Sequence, residues 1–375
     1  MGLTISEVDG RRGTARFVDV PWHLYGPADL WVPPLRLMVQ DSLNRRGNPF
    51  YRDAERALFI ATRDGRPVGR IAAIENRTHN RYHQDRVGFF GFFECADDSR
   101  AAAELLGAAE KWLAARGLSA ARGPISPSMN HESGLLVDGF DTPPSVMTAW
   151  NPPYYDSLLT ACGYGMIQDL LGYNIATDGP LERHERIERL AARTRLRTGV
   201  TFRTLDVSIL EKEARKVLDL YCDAWGGNWG FTPPTWDDFW HTAKDLKSVL
   251  VPESSFVAEV DGEIVGFMLM ARDLNRVLCD VPSGRLWPTT LFRLVTRLSK
   301  VRHTRIILLG LRAEYRNSGL FPLFAYEAAR LSHQSGLEGV EASWVLDDNE
   351  ALTAPLEAMG MQRSKRWRIY EKPLT

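Results

Sequence analysis

The chain repeats itself. Ala57-Leu-Phe-Ile-Ala61 leads into Asp64-Gly-Arg-Pro-Val-Gly69, and Phe256-Val-Ala258 leads into Asp261-Gly-Glu-Ile-Val-Gly266. An apolar run, an Asp-Gly pair and a second apolar run form the signature of a hairpin whose two turn residues need positive φ. After each hairpin comes a strand and then a helix closed by Gly. In the first copy these are Val87 to Phe93 and Ala101 to Arg116 with Gly117; in the second, Arg305 to Leu311 and a helix ending at Gly336. Gly163 and Gly360 then stand at equal spacing from their Asp-Gly turns. Between these fixed points the copies differ. The second is longer between hairpin and helix (Asp273 to Thr304), the first between Gly123 and Trp150. The pattern predicts two α/β halves, each a mixed sheet with helices and each with one private insertion: residues 1–178 and 200–375, joined by a charged helical linker over 179–199.

Composition narrows the class. A chain of 375 residues, 44% hydrophobic and 25% charged, can bury two ordinary cores. A net charge of −1 argues against bulk nucleic-acid binding. Cys95, Cys162, Cys222 and Cys279 form no Cys-x-x-Cys pair, so they read as buried thiols in a reducing cytoplasm and not as a disulfide or zinc framework. His79 and His83 share helical spacing but have no evident third ligand, so no metal is expected. The start Met1-Gly-Leu-Thr-Ile-Ser-Glu7 has no signal-peptide pattern, and no apolar run approaches the ~20 residues of a membrane span. The expected location is cytoplasmic, with peripheral contact to the inner face of a membrane.

The strongest local motif lies between strand and helix in the second copy. Ile306, Ile307, Leu308, Leu309 and Leu311 read as a buried strand; Phe321, Phe324, Ala325, Ala328 and Leu331 recur at helical spacing. Between them, Arg316, Asn317, Ser318 and Gly319 are expected to aim backbone N–H groups at one spot at the positive end of the helix dipole, with Leu320 and Phe321 opening the helix. That is an anion cradle. Where the first copy has its matching turn stand Glu94, Asp97 and Asp98, which would repel a phosphate, and Asp97, Asp98 and Ser99 read as helix caps.

Strand, Arg-x-x-Gly turn and helix, followed by strand Gly339 to Leu346, the cap Asp347-Asp-Asn349, a short helix and a last strand, resemble the C-terminal half of the GNAT superfamily of acyl-CoA-dependent N-acyltransferases. The resemblance implies that Arg316 to Phe321 hold the pyrophosphate of an acyl-CoA, that Asn349 lies beside its pantetheine arm, and that the thioester lies along the strand near Leu309 and Leu311. It implies too that the helix-loop-helix region holding Trp225, Asn228, Trp229 and Phe231 lines the acceptor site, where so many aromatics suit a greasy substrate. Two positions depart from the pattern: Phe321 stands where a small residue is usual, and Leu356 where many members carry an acidic Tyr. Tyr326 and Tyr155 are the alternatives for that acid.

The private insertions supply the rest. In Gly123 to Trp150, Asn130, His131 and Glu132 combine a neutral-pH base with a carboxylate in a loop, which suits removing a proton from an ammonium nucleophile. In Asp273 to Thr304, the stretch Leu291 to His303 alternates an apolar stripe with Arg293, Arg297, Lys300 and Arg302, a pattern that fits a helix lying on an anionic membrane or packed on its own domain.

Pro21-Trp-His-Leu-Tyr25, Trp31-Val-Pro-Pro-Leu35, Gly88-Phe-Phe-Gly-Phe-Phe93, Gly139-Phe-Asp-Thr-Pro-Pro144 and Asn228-Trp-Gly-Phe231 resemble a bacterial family of long, two-half GNAT-like proteins, and within it the ceramide synthase branch. That resemblance implies transfer of a fatty acyl group from acyl-CoA to the amine of a sphingoid base, with Glu132 or His131 as base. A small soluble amine as acceptor, aminoacyl-tRNA as donor, and a non-catalytic acyl-CoA sensor are the other readings.

Overall fold

The computed structural model describes residues 2–177, 185–316 and 318–374, with backbone alone at 185–187 and 190. Asn317, expected in the anion cradle, lies outside the described residues, as does the start of the charged linker. In chain order the elements are β1 (Leu3–Val8), α1 (Gly10–Asp19), α2 (Pro21–Leu24), α3 (Arg36–Ser42), β2 (Ala54–Arg63), β3 (Arg66–Asn76), α4 (Arg77–His83), β4 (Val87–Cys95), α5 (Ser99–Ala114), β5 (Ala120–Gly123), β6 (Ile125–Ser126), β7 (Glu132–Ser133), β8 (Leu135–Asp138), α6 (Tyr155–Ala161) and β9 (Gly165–Ala176). Then follow α7 (Glu185–Thr198), β10 (Thr201–Thr204), α8 (Leu210–Trp225), α9 (Trp236–Leu246), β11 (Phe256–Val260), β12 (Glu263–Arg272), α10 (Asn275–Leu278), α11 (Pro288–Arg297), β13 (His303–Leu311), α12 (Leu320–Gln334), β14 (Gly339–Leu346), α13 (Glu350–Ala358) and β15 (Gln362–Pro373).

These elements form two compact units. The first comprises Met1–Leu171, Val277–Arg293 and Lys365–Thr375; the second, Gly172–Arg276 and Leu294–Ser364. In the first, β1, β2, β3 and β4 are antiparallel neighbours, β5 runs parallel to β4, and β15 pairs antiparallel with β5 and β8. In the second, β10, β11, β12 and β13 are antiparallel neighbours and β14 runs parallel to β13. Each parallel pair is joined by one helix, α5 or α12, as a parallel crossover requires.

Both Asp-Gly hairpins form as read. Asp64 and Gly65 have φ of 51° and 78°, Asp261 and Gly262 of 50° and 84°, so both turn residues are left-handed and match the strand twist. The core of the first unit lies between sheet and α5, where Ala101, Ala102, Leu105, Leu106, Ala109 and Leu113 are its buried stripe. The second unit has apolar clusters that gather α12 with Phe256 and Met268, and α8 with Val257 and Phe267.

Two expectations are corrected here. The insertion Asp273 to Thr304 reads as part of the second half, yet Val277–Arg293 belongs to the first unit. The Trp22 indole N–H donates to Pro282 O at 2.7 Å, and Arg36 donates from its backbone N–H to Gly284 O at 2.8 Å and from Nε to Ser283 O at 2.8 Å. Cys279, expected buried, is exposed.

Candidate functional site

In the second unit, β13 and β14 pair only from His303↔Gly339 to Ile306↔Ala342, although the strands run on to Leu311 and Leu346. Past Ile306, β13 has no ladder partner on that side among the described residues. Leu309 and Leu311 lie on this stretch, and the Leu309 carbonyl accepts from the Trp225 indole N–H at 2.9 Å.

The turn above β13 differs in detail from the expected cradle. Arg316 N–H donates to Ala313 O at 3.3 Å and Ser318 N–H to Tyr315 O at 3.1 Å, so both groups are spent inside the turn. What remains is the helix end. Gly319, at φ 78°, lets the chain enter α12; the first-turn N–H groups of Leu320 and Phe321 have no partner within the helix, and Pro322 has none to offer. Side chains supply the charge instead. Arg316 Nη2 donates to Ala224 O at 2.7 Å, at the C-terminal end of α8, and Arg197 of α7 donates to Ser318 O. A Cβ placed on Gly319 would lie 3.3 Å from Arg197 Nη2. Two guanidinium groups and a helix N-terminus thus meet at one turn, which suits a phosphate. Arg197 was hidden in sequence among the like charges of the linker.

The other residues expected of this unit lie as follows. Asn349 opens α13, its carbonyl accepting from Leu352 and Thr353 N–H at 3.0 Å each, and its side chain makes no capping bond. Tyr326 is half-buried on the α12 core, and Leu356 is buried. Phe231 is enclosed by Tyr221 and Trp225, at centroid distances of 5.1 and 6.3 Å, so it packs in the core, while Trp225 and Trp229 are half-buried. Asn228 bridges that loop, donating from its N–H to Trp225 O at 2.8 Å and accepting from Phe231 N–H at 3.2 Å.

A carboxylate missed in sequence stands in the same layer. Asp238, in the first turn of α9, donates its backbone N–H to the Thr235 hydroxyl at 3.3 Å, while its Oδ1 is buried without a hydrogen-bond partner among the described residues. Burial lifts the carboxyl to about 6, against a smaller downward pull from His241.

The first unit closes the corresponding gap. A Cβ on Gly91 would lie 1.9 Å from Ile125 O, and one on Gly123 2.2 Å from Phe90 O; only glycine lets these backbones touch. Phe92 N–H donates to Ser126 Oγ at 2.8 Å across the same place. Among the described residues, these contacts occupy the place that corresponds to the β13 opening.

Beside the closed strands lies a buried polar centre. Glu94 Oε2 accepts from Tyr25 OH and from Tyr155 OH, the latter at 3.0 Å, while Oε1 lies 3.4 Å from Arg70 Nη2. Arg70 also donates to Phe17 O at 3.1 Å. Burial pushes the Glu94 carboxyl up, opposed by Arg70, and pushes both tyrosines well above their ordinary value. Tyr155 also accepts from Cys95 N–H at 2.9 Å. It is fully buried and holds its proton tightly, which makes it a post for Glu94.

Asn130, His131 and Glu132 sit in this unit as well. Glu132 is exposed on β7, paired with Ser126 of β6, and is felt electrostatically by Arg70. His131 Nδ1 lies 2.8 Å from Ser128 Oγ, a hydroxyl that also accepts from Asn130 N–H at 3.3 Å. The structure therefore gathers Asn130 and His131 on Ser128 and sets Glu132 within electrostatic reach of Arg70, and it brings the Arg-x-x-Gly turn together with Trp225 and the β13 opening.

No protein-family model matches the chain. Among proteins of known name, it is 36% identical over 366 residues to the bacterial ceramide synthase of Caulobacter vibrioides, covering 96% of this chain and 94% of that protein. It is 32% identical over 365 residues to protein YghO of Escherichia coli, covering 96% and 92%. Among solved structures, the tandem GNAT protein from the clavulanic acid biosynthesis pathway superposes with a TM-score of 0.59 at 13% identity, covering 100% of this chain and 99% of that one. Kinship of that extent over nearly the whole of both chains, on a tandem GNAT fold, makes this chain a member of the family of the bacterial ceramide synthase.

Proposed function

We propose that the chain joins a fatty acyl group from acyl-CoA to the amine of a sphingoid base, sphinganine or 3-ketosphinganine, forming an amide. The observation that carries this reading is the kinship with a ceramide synthase, held by a unit whose anion turn and open strand edge suit a long thioester. Arg197, Arg316 and the first turn of α12 hold the pyrophosphate, Asn349 flanks the pantetheine arm, and the thioester lies along Leu309 and Leu311. There a strand N–H stabilises the oxyanion as the amine attacks. The base first takes one proton from the ammonium. The free amine attacks, the C–N bond forms and the C–S bond breaks, and the tetrahedral nitrogen gives up a second proton as the departing thiolate takes one up.

His131 and Glu132 serve as the base in this reading, and Tyr326 as the acid. A second assignment of the base has its own support: Asp238 shares the unit of the anion turn and has a buried oxygen with no donor. The test is mass spectrometry of products after incubating the purified protein with mixed acyl-CoAs and each of the two bases. An amide of either base is the expected result. Binding of acyl-CoA without any amide would overturn the reading and favour a sensor or another amine.

A further inference from the structure

Helix α11 turns much of its apolar surface outward. Its buried residue is Thr290, 4% exposed, whose hydroxyl donates to Arg285 O at 2.8 Å. Trp287, which accepts the first N–H of the helix from Leu291 at 2.9 Å, is 56% exposed, and Leu291, Phe292 and Val295 are 52%, 69% and 71% exposed. On an α-helix these four positions form one stripe, which a helix of a globular protein turns toward its core. Exposed Leu286 extends it at one end. The loop before α11 is fastened by Trp22 and Arg36, and exposed Leu37 and Met38 follow Arg36 directly on α3. A row of large exposed apolar side chains along one helix marks a contact face.

Charge names the partner. Between Val281 and His303 stand Arg285, Arg293, Arg297, Lys300 and Arg302 and no acidic residue, in a chain whose net charge is −1. Tryptophan, leucine, phenylalanine and valine on one face with arginine and lysine beside them are what an interfacial helix presents to lipid. No described helix is long and apolar enough to cross a membrane. We propose that the α11 face docks this protein on the surface of an anionic bilayer, its apolar stripe in the headgroup region and its cations on the lipid phosphates. The acceptor and product of the proposed reaction are themselves lipids, but the docking face stands on its own observations.

The test is flotation of the full chain with vesicles of phosphatidylcholine alone or mixed with phosphatidylglycerol, which needs no turnover. Expected is flotation with the mixed vesicles only, weakened by high salt. Leu291→Glu with Phe292→Glu abolishes it, and Arg297→Glu or Lys300→Glu each weakens it about fivefold, while Tm and turnover of detergent-dispersed substrate stay at the wild-type level. Three outcomes overturn the proposal: no flotation of the wild type, equal flotation on neutral vesicles, or wild-type flotation of the double variant. Conversion of a wild-type dimer to a monomer by the double variant, with flotation unchanged, would show instead that a second copy covers the face.

Discussion

The Trp225 indole N–H donates to the Leu309 carbonyl at 2.9 Å, tying the end of α8 to the stretch of β13 that β14 leaves unpaired. An indole offers an N–H donor from a large apolar body and no acceptor to compete with it. Trp225→Phe keeps most of the packing and leaves the carbonyl without its donor, a loss of about 1–2 kcal/mol. On the proposed path of the thioester along Leu309, the expected result is roughly a tenfold fall in kcat/KM with a smaller change in Tm. Equal losses in both would assign Trp225 to packing alone.

The anion turn makes its own prediction. Gly319→Ala puts a Cβ at φ 78° and 3.3 Å from Arg197 Nη2, so it strains the turn by about 1 kcal/mol and displaces the guanidinium. Arg197→Ala removes the charge without the strain. Both should raise KM for acyl-CoA several-fold at low salt, with the difference from wild type shrinking as salt screens the exposed charge. Dephospho-CoA thioesters keep the pyrophosphate and should show the same penalty. An unchanged KM in both variants would remove the turn from cofactor binding.

How far the sequence reached follows from how local each signal was. The two hairpins were legible because Asp-Gly demands one turn geometry, and α12 because its apolar spacing and closing glycines sit within one stretch. Arg197 was not, because nothing near it in sequence separates it from Arg193 or Arg195; only the fold lays it against Ser318. Glu94 read as one of several acids unwelcoming to phosphate, and its role as a buried hub depends on Tyr25, Arg70 and Tyr155, all distant in sequence. The first unit's claim on Val277–Arg293 rests on contacts more remote still. Asp238 was not legible at all, since burial of one carboxylate oxygen leaves no mark on spacing.

Glu132 is exposed on its short strand, so Glu132→Ala should change stability by no more than about 0.5 kcal/mol. If it takes the ammonium proton, turnover falls by roughly 10²–10⁴ and the loss is partly recovered at high pH, where the free amine needs no base. His131→Asn should follow the same course. Retained wild-type turnover in both would clear the loop of a proton-transfer role and leave the base to the second unit.

For Asp238, stability and activity should move in opposite directions. Its folded carboxyl titrates at about 6, above the ordinary value near 4. The folded state therefore holds the proton more tightly than the unfolded state, and the stability this confers is present at low pH and lost as pH rises from about 4 through about 6. At pH 8 the wild type carries a buried charge that Asp238→Asn removes. Allowing for partial exposure, the variant should be more stable there by on the order of 1–2 kcal/mol, and no different below about pH 4. If Asp238 is also the group that receives the ammonium proton, the wild-type rate rises with an apparent pKa near the same value, and Asp238→Asn loses both the limb and most of the turnover. A protein more stable in alkali with an unaltered pH profile would show instead that Asp238 is a buried acid of the α8–α9 layer with no part in the reaction.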